Sequence, residues 1–333
     1  MRYLVTGGAG FVGSHTADAL VARGHDVVLL DDLSTGRLAN VVHLLDGGHV
    51  RLVQGTVTDA ALVEHCVAEA DVVLHLASAV GVRLVVEHPL DTLTANVRGI
   101  DVVLGAAARL GRPLLFASTS EVYGKQTTGP LSEEDDLIIG SPAKARWSYA
   151  IAKSYGEALA HGYHADQGAR TTVVRLFNAV GPRQRSRYGM VLPRFVRQAL
   201  AGEDLTVYGD GRQTRCFTHV LDTVDAMVAL CEAPGADGRT FNVGSSSPVS
   251  VNELAERVVD RAGSTSRIVH VPYAEAFGDG FEELGMRRPD TTALRELTGW
   301  TPARTLDDAI DDVILHTTRS CAGPGAVVVP DAG

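Results

Sequence analysis

Thr6–Gly13 reads TGGAGFVG, which sets Gly7, Gly10 and Gly13 three residues apart directly behind the β-branched run Arg2–Thr6 (RYLVT). A strand that runs into glycines at this spacing and then into a helical stretch lets backbone N–H groups approach a pyrophosphate at the helix N-terminus. The first glycine permits the tight turn, the second the close backbone approach, and the third the packing of helix on strand. Alone, the spacing also fits a plain turn, so the surrounding pattern decides. Asp26–Leu30, Val50–Gln54, Asp71–Leu76, Pro113–Ala117 and Thr172–Leu176 are further short runs, apolar almost throughout. That is the pattern of strands covered on both faces. Helix-length segments Gly13–Arg23, Ala60–Ala68, Asn96–Leu110 and Tyr149–Gln167 separate them.

This alternation predicts an α/β fold, a Rossmann-type doubly wound parallel sheet with right-handed crossovers. After Asn178 the rhythm changes. Pro182–Arg187 is a polar, Arg-rich loop, Leu192–Ala201 and Val251–Ala262 read as helices, and Val207–Gly211, Thr240–Val243 and Ile268–Pro272 as strands. The expected organisation is a dinucleotide-binding domain over 1–178, to which the strand near 240–243 returns, and an interleaved, smaller mixed α/β lobe over 179–315. Residues 322–333 (AGPGAVVVPDAG is the tail's text) read as a disordered tail. Thirty basic against forty acidic residues give a net charge of −10, which argues against nucleic acid or an anionic membrane as partner. No apolar stretch reaches the ~18 residues of a membrane span. Cys66, Cys216, Cys231 and Cys321 form no CxxC pair and read as reduced thiols. The first β-like run begins at Arg2, leaving no room for a targeting peptide, so the expectation is a soluble cytoplasmic protein.

Asp31 closes the second strand, 24 residues after Gly7. A carboxylate there would bond the adenosine ribose hydroxyls and repel a 2′-phosphate, which favours NAD over NADP because no Arg follows until Arg37. The competing reading is a cap on the turn before Leu33–Gly36. Tyr149 and Lys153 form a Y-x-x-x-K pair, on one helical face at i, i+4. A nearby ammonium is expected to lower the phenol from its ordinary ~10, so that it can take a proton from a sugar hydroxyl. By itself the pair also suits a solvated helix. Ser118–Gly124 (STSEVYG) follows the strand PLLFA, at the strand end where α/β sheets bind ligands. His161 and His164 stand i, i+3 without a third ligand nearby, so no metal is expected.

With these motifs the sequence resembles the extended short-chain dehydrogenases that act on nucleotide sugars. The matches are TGGAGFVG, Asp31–Gly36 (DDLSTG), His75-Leu76-Ala77, Asn96–Gly99, STSEVYG, Tyr149/Lys153, FNAVGPRQ around Asn178, VYGDGRQTRCFTHV at 207–220, FNVGSSSPVSVNELA at 241–255 and RRPDTTALRELTGW at 287–300. The sequence departs from the pattern at Thr56, where relatives commonly carry Asp, and at Ser78, where Ala is usual. The resemblance implies that NAD is held by Gly7, Gly10, Phe11, Val12, Gly13, Asp31, Asp32, Ser34, Thr35, Gly36, Thr56, Val57, Leu76, Ala77, Ser78, Asn96, Tyr149 and Lys153. It implies Thr119, Tyr149 and Lys153 as catalytic hydroxyl, base and base-tuner. Ser120, Asn178, Arg185, Val191, Tyr208, Arg215 and Arg288 would line the substrate site, with Asn178, Arg215 and Arg288 on the nucleotide diphosphate. For Arg215 or Arg288 alone a surface ion pair stays open.

All branches of the family open by oxidising the sugar at carbon 4. A 4,6-dehydratase carries an Asp–Glu pair, whose Asp protonates the departing hydroxyl; here Ser120 precedes Glu121, and a Ser cannot supply that proton. STSEVYG, Pro142, Arg146–Tyr149 (RWSY), Arg215–Thr218 (RCFT) and Gly278–Arg288 (GDGFEELGMRR) resemble UDP-glucuronate decarboxylases. That resemblance implies NAD-dependent decarboxylation of UDP-glucuronate through a 4-keto intermediate, giving UDP-xylose, a UDP-4-keto-pentose or both. Arg287 would contact the substrate carboxylate and Glu121 would lie beside carbons 4 and 5, unless it serves only as partner for a nearby Arg. A UDP-sugar 4-epimerase is the alternative, and a dinucleotide-binding redox sensor the non-enzymatic one, disfavoured by the intact Tyr and Lys. Helices Thr92–Leu110 and Tyr149–Gln167 resemble the family's dimer contact, so a homodimer is expected.

Overall fold

The computed structural model describes residues 1–79, 88–126, 129–186, 190–273, 275 and 287–322. Its centre is a seven-stranded sheet built from β1 (Arg2–Thr6), β2 (Asp26–Asp31), β3 (Val50–Gln54), β4 (Val72–His75), β5 (Leu114–Thr119), β6 (Thr171–Leu176) and β11 (Thr240–Val243). The spatial order is β3-β2-β1-β4-β5-β6-β11 and the pairs are parallel throughout. The order reverses between β1 and β4, the crevice in which doubly wound sheets bind ligands. Between the first six strands run α1 (Phe11–Ala22), the short α2 (Val42–Leu45), α3 (Ala60–Ala68), α4 (Pro89–Arg109) and α5 (Ser148–Gln167). Asp59 caps α3 by accepting from the N–H groups of Ala61 and Leu62, and Gly168 ends α5 in the left-handed region.

The rest of the chain carries β7 (Ala179–Val180), α6 (Val191–Ala201), β8 (Leu205–Tyr208), β9 (Thr214–Cys216), β10 (Thr218–His219), α7 (Val220–Glu232), β12 (Pro248–Ser250), α8 (Val251–Arg261), β13 (Ile268–Val271), α9 (Thr292–Thr298) and α10 (Leu306–Ala322). Three two-stranded ladders, β7 with β10, β9 with β12 and β8 with β13, hold this lobe beside the sheet. Two apolar cores cover the sheet. One packs Ala17 and Leu20 of α1 with Val224, Met227 and Leu230 of α7; the other packs Val63, Ile100, Leu104 and Ala160 from α3, α4 and α5. A third joins Leu192, Phe195 and Val196 of α6 to Leu254 and Val258 of α8 and Ile310 and Val313 of α10. Each fully buried Leu, Ile, Val or Phe contributes about 1.5–3 kcal/mol relative to exposure.

Several boundaries differ from the expectation. α4 begins at Pro89, not Asn96 or Thr92: its polar first turns hide the apolar period, while Pro at the start and Asp91 in the first turn favour a helix N-terminus. β8 ends at Tyr208, before Gly209, whose φ of +74° turns the chain. α7 escapes a periodicity reading because it is buried nearly all round, between α1 and the lobe. The Gly/Pro-rich tail from residue 323 on lies outside the described residues, as do residues 278–286 of the GDGFEELGMRR segment.

Candidate active site

A groove of about 510 Å³ opens over the C-terminal ends of β1, β2, β3 and β4. It is lined by Gly7, Gly10, Phe11, Val12 and Gly13 of the first turn, by Asp31, Asp32, Ser34 and Thr35, by Thr56 and Val57, by Leu76, Ala77 and Ser78, and by Asn96 of α4. The glycines are sterically required. Gly7 has φ +69°, and a Cβ on Gly13 would stand 2.2 Å from the Gly7 carbonyl oxygen, so only Gly lets α1 start this close to the strand. The exposed cradle of backbone at a helix N-terminus fits a dinucleotide pyrophosphate. Asp31 accepts from the N–H of Ala9 (2.9 Å) and of Leu33 (2.8 Å), so it anchors the turn while facing the groove. Burial pushes its carboxyl up, against the lowering effect of those two N–H groups. Gly36 does not line the groove; a Cβ there would meet the Asp31 carboxylate at 2.7 Å, so its role is to leave that carboxylate room. Asn96 is spent on local order, accepting from Ser78 Oγ (3.1 Å) and Ala79 N–H (2.8 Å).

Tyr149 and Lys153 rise from α5 beside the end of β5. Lys153 is 2% exposed; its Nζ donates to the Ala117 carbonyl at 2.7 Å and lies 5.9 Å from the Tyr149 ring centre. Burial pushes the ammonium down to about 7, with Glu157 opposing. The expectation that this ammonium brings the phenol toward neutrality is corrected. Burial first, then the charge of Glu121, hold the Tyr149 phenol above its ordinary value, and the lowering influence is a hydrogen bond with Ser78. Beside them His75 shares a hydrogen bond with Thr6 Oγ1 (2.8 Å), and burial with the charge of Lys153 pushes it down to about 3, so it is neutral.

The turn after β5 collects the sugar-side groups. Thr119 Oγ1 accepts from the Glu121 N–H (3.2 Å), capping the turn Ser120–Tyr123. Arg287, 6% exposed, donates to Ser120 Oγ (3.3 Å) and bridges to Arg215 of β9 backbone to backbone. Glu121 pairs with Arg146, Nη1 to Oε2 at 2.6 Å. Burial raises that carboxyl, but Arg146, Arg287 and Arg215 outweigh it and hold it below the usual carboxylate range. Asn178, with φ +30°, donates to the Cys216 carbonyl (3.2 Å); burial lifts the Cys216 thiol to about 11 against the charges of Arg288 and Arg215. Asn178, Arg215 and Arg288 thus gather round Cys216. Arg185 donates to the Thr35 carbonyl (3.2 Å), at the cofactor groove. Val191 opens α6, and Tyr208 lies under the Arg194 guanidinium, 4.0 Å from ring centre to carbon.

Sequence reading missed the support beneath this site. Glu157, one helical turn beyond Lys153, accepts from Ser118 Oγ (2.5 Å) and from Nε and Nη2 of Arg175 on β6. Arg175 also lies 4.7 Å over the Tyr123 ring, whose hydroxyl donates to Asn242 of β11 (2.8 Å). The i, i+4 step from Lys153 was a signal for Glu157; nothing local marks Arg175 or Asn242. His161 bonds Thr240 Oγ1 and His164 the Ala169 carbonyl.

Residues 3–244 match the NAD dependent epimerase/dehydratase family, and the chain belongs to that family. It is 42% identical over 314 residues, 94% of this chain and 96% of the other, to UDP-N-acetyl-alpha-D-glucosaminuronate decarboxylase of Bacillus cytotoxicus. It is 36% identical to UDP-glucuronic acid decarboxylase 1 of Xenopus tropicalis, over 95% of this chain and 72% of that one. Among solved structures, UDP-glucuronic acid 4-epimerase from Bacillus cereus, in complex with UDP-glucuronic acid and NAD, superposes with a TM-score of 0.85 at 26% identity, covering 96% of this chain and 99% of that one. The chain is therefore an NAD-using enzyme of Rossmann-type fold, and the groove over β1 to β4 is where its residues fit the cofactor.

Proposed function

We propose that the chain decarboxylates a UDP-linked uronate, UDP-glucuronate in the first instance, to UDP-xylose, a UDP-4-keto-pentose or both. The observation that carries this reading is the cationic setting of Glu121: Arg146 pairs with it at 2.6 Å, Arg287 donates to the adjacent Ser120, and Ser120 occupies the position where a dehydratase needs an acid. Such a site suits a substrate that brings its own carboxylate. When bound, NAD supplies the acceptor for the hydride of carbon 4. Tyr149 is the group placed to take the proton of the carbon-4 hydroxyl, Thr119 holds that hydroxyl, and Lys153 stands behind them with its Nζ 5.9 Å from the Tyr149 ring centre. Once carbon 4 is a ketone the carbon-6 carboxylate belongs to a β-keto acid: the bond from carbon 5 to carbon 6 breaks, carbon dioxide leaves, and the electron pair rests on the enolate. Arg287 holds the carboxylate before it leaves. A proton is delivered to carbon 5 from water positioned by Glu121, whose own carboxyl the arginines keep ionised. For UDP-xylose the hydride would then go back to carbon 4 while Tyr149 returns its proton to the oxygen there; release of the UDP-4-keto-pentose would instead leave the cofactor reduced.

A second substrate reading is UDP-N-acetylglucosaminuronate, favoured by the name of the 42% identical relative. It carries the same carbon-6 carboxylate and runs through the same steps. Incubation with both uronates and with UDP-glucose, followed by mass spectrometry, tests the proposal. Loss of carbon dioxide from a uronate supports it and ranks the two; interconversion of UDP-glucose and UDP-galactose without that loss assigns the chain as a 4-epimerase. The protein acts as a homodimer through α4 and α5, a reading supported by exposed Leu90 and Tyr155 on those helices. A cytoplasmic location is supported by the free thiols of Cys66, Cys216 and Cys231. Among the described residues no helix is long and apolar enough to cross a membrane.

A further inference from the structure

Two successive residues at the end of β5 are each held by a side chain of α5. The Ala117 carbonyl accepts from Lys153 Nζ at 2.7 Å, and the Ser118 hydroxyl donates to Glu157 Oε1. Thr119, the residue that follows, is the hydroxyl assigned to the sugar, and Tyr149 stands one turn before Lys153 on the same helix. The seam between β5 and α5 therefore sets the spacing of hydroxyl and base. Behind the seam, Arg175 of β6 donates through Nη2 to Glu157 Oε2 (2.8 Å) and through Nη1 to the Glu133 carbonyl (3.2 Å). Ser118, Glu157 and Arg175 are all buried, so water screens the carboxylate little. The groups facing Lys153 are Tyr149 and Glu157 of its own helix, the Phe116 ring of β5 at 4.8 Å, and the neutral His75 of β4. Of these groups Glu157 alone carries charge, and that charge opposes the burial that pushes the ammonium down.

We propose that Glu157 is a positioning residue for the oxidation step: it fixes Ser118, and with it Thr119, against the helix of Tyr149, and its charge favours the ammonium form of Lys153. This rests on the oxidation at carbon 4 in the reading above, a step that decarboxylation and 4-epimerisation share. Two physical reasons support it. A hydroxyl held by a buried carboxylate makes a charge-assisted bond, stronger than one to a neutral acceptor. An ammonium is likewise a stronger donor to the Ala117 carbonyl than a neutral amine, so charge on Lys153 tightens the same seam.

The test reads Lys153 directly. The chain has three lysines, Lys125, Lys144 and Lys153, so NAD-loaded protein with carbon-13 at each lysine Cε gives three NMR signals, and the Lys153 signal is the one lost in Lys153→Met. In Glu157→Gln its titration midpoint should fall by about one pH unit, a tenfold drop in the ratio of ammonium to amine. Ser118→Ala keeps the carboxylate and should move the midpoint far less. It should lower kcat roughly tenfold, with KM for the UDP-sugar that the unaltered protein converts held within about twofold. A merely structural Glu157 would lower the melting temperature in both variants and move neither the midpoint nor kcat. An unmoved midpoint in Glu157→Gln, or an unmoved kcat in Ser118→Ala, overturns the proposal. Glu157→Gln leaves Arg175 buried without its partner, so Glu157→Gln combined with Arg175→Met is the second form, expected to show the same fall; if only that form folds, its midpoint decides. A parent that converts neither a UDP-uronate nor UDP-glucose overturns the reading of carbon-4 oxidation, whereas the midpoint, read without substrate, judges the hold of Glu157 on Lys153 separately.

Discussion

The cofactor groove and the sugar side of the site are built in different ways. Around the groove, local backbone sets the shape: Gly7, Gly10 and Gly13 form the turn, and Asp31 is locked by two N–H groups of its own loops. At the turn after β5, long side chains converge from distant segments: Arg146 pairs with Glu121, Arg287 donates to Ser120, and Arg215 bridges Arg287 by backbone. The first kind of site is dictated by sterics over eight consecutive residues. The second exists only after β5, α5, β9 and the strand-like residue Arg287 have been brought together.

The comparison can be broken from either side. The largest effect is expected where the halves meet: Tyr149→Phe should fold and bind NAD but lose about 10²- to 10⁴-fold in turnover, measured by product formation. On the sugar side, Arg287→Ala should weaken UDP-glucuronate by about 2–5 kcal/mol in calorimetry, with UDP affinity little changed. On the cofactor side, Gly13→Ala should cost on the order of 1–3 kcal/mol of stability, read by denaturant unfolding, and weaken NAD, because its Cβ meets backbone at 2.2 Å. Asp31→Ala should weaken NAD roughly tenfold and relax discrimination against NADP, seen in a titration of both. Equal affinity of the unaltered protein for both dinucleotides would contradict that role.

The smallest effect is one on stability and concerns the buried Lys153, whose folded value near 7 lies below the unfolded 10.5. Between these values the unfolded chain holds a proton that the folded chain lacks, so stability rises with pH, and below 7 the full cost of burying the charge remains. Lys153→Met should therefore melt higher than the unaltered protein, with the gap largest at pH 7 and below and shrinking toward pH 10. A gap that widens with rising pH would show that burial does not depress this ammonium.

The strand runs were legible because strands covered on both faces are apolar throughout, and the glycine turn because sterics leave no other residue. Y-x-x-x-K placed the pair on one face, but the environment of the phenol was not legible: burial and Glu121 outweigh the hydrogen bond with Ser78. Glu157, Arg175 and Asn242 were missed because their partners lie on β5, β6 and β11, up to 119 residues apart in sequence. Arg185 reads as one more arginine of a polar loop, and only the fold sends it to Thr35. Helix α7 was missed for the opposite reason: its polar edge is narrow, carried by Asp222, Asp225 and Glu232 in a run that is otherwise largely apolar.

The most direct test follows the carboxylate itself. NAD-loaded protein is given UDP-glucuronate labelled at carbon 6, and the label is traced between gas phase and nucleotide sugar. Release of the label as carbon dioxide, with an unlabelled UDP-pentose left behind and both lost in Tyr149→Phe, is the expected result. Label retained in a UDP-hexuronate whose carbon 4 has inverted would contradict decarboxylation and assign the site to epimerisation.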